Sequence, residues 1–284
     1  MTNEDLEEAS FLNTFAHSGT RWERNPACWR YMDLVSLLAI LQNETLHFAH
    51  ITDLYHYDPH EGTGGLLINV VNDPIPPRML TAPSNTGVDA ENQREIEAII
   101  AELQIPLANQ LPQFRERVRR WDDENDSIYI SSWHVNSIDS DFMWRIYGKY
   151  EYGFALVSSV QDLVHSIRDS GIDGRKIGCG FVVYPTRDQL IRERLDETMG
   201  SCAAFMIKSP QYSPENEFRV FIKARKRVTS CDLKVNLRRL VHGVRISPFV
   251  PRWAVRPLLQ TLNPLCNAKG LPAVEAGIGS LREI

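Results

Sequence analysis

Cysteines that could pair are what this chain of 284 residues most plainly lacks. Its five cysteines (Cys28, Cys179, Cys202, Cys231 and Cys266) are odd in number and far apart, which argues against a disulfide framework. No C-x-x-C pair occurs, so a zinc ribbon is excluded, and no H-E-x-x-H pair occurs either. Long hydrophobic runs are missing too. The longest unbroken aliphatic stretch, Leu37 to Leu41, is far below the ~18 apolar residues of a membrane span. The first ten residues are acidic and lack the basic-then-apolar order of a secretory signal. Together these absences predict a cytoplasmic protein without a membrane partner. A large excess of one charge is also absent. With 31 basic and 36 acidic side chains the net charge is −5, which does not mark a nucleic-acid binder.

What is present is an ordinary globular mixture. Apolar residues make up 43% and charged residues 24%, which excludes disorder, collagen-like repeats and coiled coil. A chain of this length buries roughly 75% of its unfolded surface and needs neither disulfides nor a structural metal.

Residues 1–25 read as a flexible lead-in, and residues 26–284 as one α+β domain. Cys28 to Met32 predicts an aromatic-rich strand. Asp33 is a suitable N-cap for a helix with Leu34, Leu37, Leu38 and Leu41 at helical spacing, ending near Gln42 and Asn43. Residues 45–49 alternate as a strand with Leu46 and Phe48 on one face. A loop over 52–65 and an apolar strand over 66–71 follow. Four prolines between 73 and 89, and a helical pattern over 90–121, predict a largely helical insertion at 73–126. Further strands are predicted at 127–133, 152–158, 180–184, 203–208, 218–223 and 240–246, with helices at 139–147, 161–168, 186–199 and after Pro251. The expected architecture is a curved, mostly antiparallel mixed sheet with flanking helices.

Several segments carry candidate chemistry. His47, His50, His56 and His60 stand near Asp53, Asp58 and Glu61, a ligand-rich run that also reads as a polar loop without spaced metal ligands. No metal is assigned. Basic runs at 115–120 and 223–227 read either as solvated faces or as a docking patch for a phosphate-bearing partner. Met143, Trp144 and Tyr147 share one side of a helix, either as core or as a wall on which a flat ring stacks.

The stretch KSPQYSPENEFRVFI, 208–222, is the most informative. Strand alternation puts Phe218, Val220 and Ile222 on one face and Glu217 and Arg219 on the other, with Glu215 in reach. Either that face is exposed and laced by Glu–Arg pairs, or it lines a cleft where Arg219 fixes the charge of Glu217.

The order WRYMDLVSLLAIL, TLHFA, DPHEG, SSWHVNSIDSDFMWRIYGKYEYGFALVSS, KSPQYSPENEFRVFI and LVHGVRISPFVPRW resembles a widespread, mainly bacterial family of domains of unknown function. Tyr57 stands where that family carries Asn. Some relatives are similar to abortive-infection proteins, which implies a role in anti-phage defence and a cognate inhibitor or other defence component as partner.

The chain also resembles ADP-ribosyltransferases of the toxin type. Arg30 lies in the first strand, Ser158 and Ser159 end a middle strand, and Glu215-Asn216-Glu217 matches their Glu-x-Glu. It departs from them in having Ser-Ser instead of Ser-Thr-Ser, and in its long insertion. The resemblance implies an ADP-ribosyltransferase-like fold and NAD as substrate. It makes Glu217 and Glu215 catalytic, with Arg30 shared between catalysis and NAD binding. Tyr31, Ser158, Trp144 and Tyr147 would complete the NAD site. The acceptor would be water, a protein or a nucleic acid. The rival expectations are a metal-dependent nuclease-like hydrolase using Asp58, Glu61 and Glu217, and a non-enzymatic binding module.

Overall fold

The computed structural model describes residues 22–51, 127–186 and 203–276, with Glu4, Asp53 and Gln189 as isolated positions. The expectations for the lead-in, the 52–65 loop, the 66–71 strand, the 73–126 insertion and the 186–199 helix therefore fall outside the described residues.

Near the start, sequence and structure agree closely. The strand β1 (Ala27–Met32) leads into α1 (Leu34–Asn43), and the Asp33 carboxylate accepts the Ser36 backbone N–H at 2.7 Å as the N-cap. Leu37, Ile40 and Leu41 are the buried stripe of α1. Glu44 adopts a left-handed conformation that stops the helix, and β2 (Thr45–His50) follows with Leu46 and Phe48 fully buried.

After the undescribed segment come β3 (Ile128–Val135), α2 (Asp141–Ile146), β4 (Phe154–Ser159) and α3 (Val160–Arg168). Then follow β5 (Ile177–Phe181), α4 (Ala203–Met206), β6 (Glu217–Lys223), β7 (Cys231–Lys234), α5 (Leu237–Leu240), β8 (Gly243–Ile246), α6 (Arg252–Ala268) and β9 (Val274–Ala276). Nine strands of the described residues join in one sheet of order β5-β6-β3-β1-β4-β8-β9, with β2 attached to β3 and β7 to β2. All pairings are antiparallel except β8 with β9, so the sheet is mixed and mostly antiparallel, and the class is α+β as the sequence predicts. The strand with Phe218, Val220 and Ile222 is interior, between β5 and β3.

Three expectations need correction. Residues 203–208, read as a strand, begin with the helical turn α4 and only Ile207 bridges to Val183, because Ala203, Ala204 and Met206 favour helix over sheet. The strand expected at 180–184 lies earlier, at β5, where Gly178 lets the Phe221 ring pack against the backbone. Residues 240–246 divide between α5 and β8. Asn236 caps α5 by accepting the Arg239 N–H, and the short β7 before it escapes sequence reading.

The sheet separates two cores. On one face Cys28, Leu37, Phe48, Trp133, Leu156, Phe218, Leu240 and Leu262 belong to the larger cluster. On the other, Trp29, Tyr31, Met143, Trp144 and Ala155 form a smaller one beneath α2. The edge of β3 is shared. β1 pairs with it only through Cys28↔Val135 and Trp29↔His134, and β2 only through Ala49↔Ile130 and His50↔Tyr129. Between these pairings, Ser131 to Trp133 have no ladder partner on that side among the described residues. The sheet is split there.

Two glycines set how α2 returns toward the sheet. A Cβ on Gly153 would overlap the Gly148 carbonyl oxygen, a backbone atom that cannot rotate away. This close approach fixes the 147–153 turn and with it Tyr147. Gly153→Ala should therefore destabilise the protein by about 3 kcal/mol or more. Thermal unfolding of the purified variant measures it, and a loss below about 1 kcal/mol would mean that the turn is free to shift.

Candidate functional site

The split lies beside a cavity of about 290 Å³ on the α2 side of the sheet. Strand register explains what lines it. Trp29 pairs with His134, and His134 pairs with Glu217, so one row crosses β1, β3 and β6. The next position on the same face carries Ser132 opposite Arg219. Tyr31 extends the aromatic wall on β1 with its ring stacked 6.4 Å from Trp29, and Met143 and Tyr147 come down from α2.

The floor is a buried cluster of four charged side chains. Lys208 Nζ donates to Glu215 Oε2 at 2.6 Å and to Glu217 Oε1 at 2.8 Å. Arg219 donates from Nε to Glu217 Oε2 at 2.8 Å and from Nη2 to Glu217 Oε1 at 3.1 Å, while its Nη1 donates to the Phe205 carbonyl. Tyr147 Oη donates to Glu215 Oε1 at 2.8 Å. None of Lys208, Glu215, Glu217 and Arg219 is more than 5% exposed. The reading of Glu217 and Arg219 as an exposed face thus fails, since the strand's polar side is covered.

Local backbone chemistry brings both glutamates to one lysine. Glu215 ends a 3-10 turn, Pro210–Glu215, and Asn216 takes φ 40°, a left-handed conformation that Asn tolerates better than most residues. Asn216 also exchanges backbone and side-chain hydrogen bonds with Val135, which ties this bend to the end of β3.

The two carboxyls are driven apart. Burial opposes charge on both, but Arg219 and Lys208 hold Glu217 far below the usual carboxylate range. Glu215, buried and beside the charged Glu217, is pushed up to about 7, with Lys208 opposing the rise. Glu217 is therefore a fixed anion and Glu215 the group that titrates near neutrality.

Arg30 occupies the split itself. Its guanidinium donates to Ser131 Oγ and to the His47 carbonyl, at 2.9 Å for the latter, and lies 5.9 Å from the centre of the Trp133 ring. No acidic side chain among the described residues pairs with it. Burial lowers it to about 10, so it stays cationic at neutral pH. Arg30, Tyr31 and Tyr147 also line a second cavity, of about 530 Å³, bounded by α1, Asp33, His47 and Lys149. The two cavities share these three residues as a common wall.

Of the residues singled out by sequence, Arg30, Tyr31, Tyr147, Glu215 and Glu217 come together here. Ser158 does not. It pairs with Cys28 in the β1–β4 ladder, is 1% exposed, and donates to the Ser159 carbonyl. The hydroxyl residues at the site are instead Ser131 and Ser132 of β3. Trp144 is also elsewhere, fully buried, with its indole N–H on Asp139 and its ring edge-on to Tyr31 at 4.8 Å. It supports the wall and does not face the cavity. Lys208 and His134 were missed. A single lysine or histidine in a strand-like run carries no spacing signal, and only the fold puts them beside the glutamates. His56, His60, Asp58 and Glu61 are outside the described residues, and no metal-binding cluster occurs among the described ones. No helix of the described residues is long and apolar enough to cross a membrane.

Comparison with known protein families, with curated proteins and with solved structures finds no match.

Two stability effects follow from the cluster. Lys208→Met leaves two buried carboxyls with too few cations and should cost about 3–5 kcal/mol in urea denaturation, part of it recovered by adding Glu215→Gln. The pH dependence has opposite signs at the two glutamates. Because Glu215 holds its proton up to about 7 when folded, its contribution is present below its usual value of about 4.5 and is lost as pH rises to about 7. That of Glu217 is present above about 4.5 and lost in acid. Glu215→Gln should flatten the stability profile between about 4.5 and about 7; an unchanged slope would place the titration on another group.

Proposed function

We propose that the cleft binds NAD and breaks its nicotinamide–ribose bond, transferring ADP-ribose to water or to a macromolecular acceptor within an ADP-ribosyltransferase-like fold. One observation carries the reading: a cation free of acidic partners among the described residues, Arg30, stands on the wall common to two cavities, and the first of these also holds paired carboxyls. A dinucleotide has the matching shape, two ring-bearing halves joined by an anionic pyrophosphate that a guanidinium can grip through two hydrogen bonds.

In the first cavity, Trp29, Tyr31 and Tyr147 offer flat surfaces to the nicotinamide ring. When the bond between ribose C1′ and the ring nitrogen breaks, the electron pair leaves with neutral nicotinamide. Positive charge then develops on C1′ and the ribose ring oxygen. The Glu217 carboxylate, kept ionised by Arg219 and Lys208, faces this centre. Water or an acceptor hydroxyl adds to C1′, and its proton passes to Glu215. The products are nicotinamide, ADP-ribose on its acceptor, and one proton.

Charge addition predicts how the cluster behaves. With Glu215 ionised, Lys208, Arg219, Glu215 and Glu217 sum to zero; with Glu215 protonated they sum to +1, which repels a cationic transition state. Activity should rise as pH increases through about 7, the value toward which burial pushes Glu215.

Release of nicotinamide from NAD, followed by chromatography, is the test. Wild type should release it. Glu217→Gln should lose about 100- to 1,000-fold in kcat. Glu215→Gln should be slow at every pH and lack the rise through neutrality. Arg30→Ala should raise KM about tenfold or more. No nicotinamide release by the wild type, with or without added protein and nucleic-acid acceptors, would overturn the proposal.

A further inference from the structure

His134 lines the pocket, is left idle by this mechanism, and is not satisfied by its surroundings. The residue is 4% exposed, and Nε2 has no hydrogen-bond partner among the described residues. A buried polar atom left unpaired is costly, of the order of a lost hydrogen bond, and such atoms are rare in folded proteins. The alternation of β3 puts this residue on the face that lines the first cavity, in register with Trp29 on one side and Glu217 on the other.

The tautomer is set by the other nitrogen. Nδ1 lies 2.6 Å from the Glu215 carbonyl oxygen. A carbonyl oxygen only accepts, so Nδ1 carries the proton and donates it. In the neutral ring Nε2 is then a bare acceptor. Burial also lowers the affinity of the ring for a second proton, outweighing the Glu215 carbonyl and the Glu217 charge, so the neutral form holds at pH 7. An acceptor fixed in this way fits a ligand that brings an N–H or O–H and disfavours one that brings only lone pairs.

The walls say which donor. On the side away from Glu217, Trp29, Tyr31 and Met143 give the cavity an apolar, flat wall, with the Tyr31 ring centre 6.2 Å from that of His134. This part of the cavity suits the nicotinamide ring, whose only N–H groups are those of its carboxamide. We propose that His134 Nε2 accepts a hydrogen bond from the carboxamide N–H, making His134 the residue that selects an amide over an acid at this position. The assignment rests on the reading of the cleft as an NAD site. It adds a selection that the carboxyl cluster does not supply.

The experiment compares NAD with its nicotinic acid analogue, whose carboxylate has no N–H to give. Binding of each is measured by calorimetry to wild type and to His134→Asn. Asparagine keeps an N–H near the position of Nδ1 for the Glu215 carbonyl but has no atom at Nε2. The unfolding temperature of the variant checks that the clamp to Glu215 survives. Wild type should favour NAD by about tenfold or more, and His134→Asn should lose that preference mainly by binding NAD more weakly. A preference identical in both proteins overturns the role of His134 while the NAD reading stands. Failure of both ligands to bind wild type overturns the NAD reading, and this assignment with it. A measurement on the wild type alone covers the case of a variant that does not fold. In ¹⁵N-histidine spectra, Nε2 of His134 should be unprotonated and should shift on adding NAD but not the analogue. A protonated Nε2, or one indifferent to NAD, overturns the proposal.

Discussion

One lysine holds the centre of this molecule together. The Lys208 ammonium sits within 2.8 Å of two carboxyls in a place with almost no water, and each of the three groups would be costly there alone. Arg219 adds the second cation, and its contact with the Phe205 carbonyl binds α4 to β6. The segment that supplies Lys208 is thereby anchored at both ends of its short path. Electrostatic balance and apolar packing act together on this segment: Phe205, Met206 and Phe218 are fully buried around the charged cluster, and the Phe205 ring meets Phe221 edge-on. The energetic logic is that of a network in which removing one member exposes the others.

The sheet's split gives this cluster an outlet. Had β1 continued alongside β3, Ser131 to Trp133 would be covered and Arg30 would have no opening to fill. β1 instead follows β4 along its whole length, through six paired positions, and β2 turns away to β7. Arg30 bridges the gap with bonds to both sides, one to β3 and one to β2. The aromatic wall survives because Tyr31 has a second support. Its hydroxyl accepts the backbone N–H of Ser140, the N-cap of α2, at 2.9 Å.

Much of the fold was legible in the sequence where one short-range rule governs. The Asp33 cap, the stripe of Leu37 and Leu41, and the alternation of Phe218, Val220 and Ile222 all report their own environment. Legibility failed where a distant partner decides. Residues 203–208 look like a strand until their helix formers are weighed, and β5 is displaced by the space that the Phe221 ring needs over Gly178. At the site, Glu215 and Glu217 stood out because strand alternation aims them with Arg219 at one side of a sheet, and Arg30 because the resemblance to a transferase drew attention to it. Ser158 drew attention for the same reason, yet strand register turns it toward Cys28. Lys208 and His134 gave no sign: the meaning of the histidine lies in the register of β3 against β6, and that of the lysine in the 3-10 turn that folds Glu215 back onto it.

That register also bears on how the protein is made. Trp29 and its partner Asn136 are 107 residues apart, Tyr147 and Glu215 are 68 apart, and β6 arrives after both. Topologies dominated by such distant pairings close slowly, because the entropy of long loops is lost before the contacts form. A chain emerging from the ribosome holds β1 and Arg30 early but has no floor beneath them until β6 is in place. The first cavity therefore cannot be complete before β6 is made, and a nascent or truncated chain ending before residue 219 carries an unfinished site.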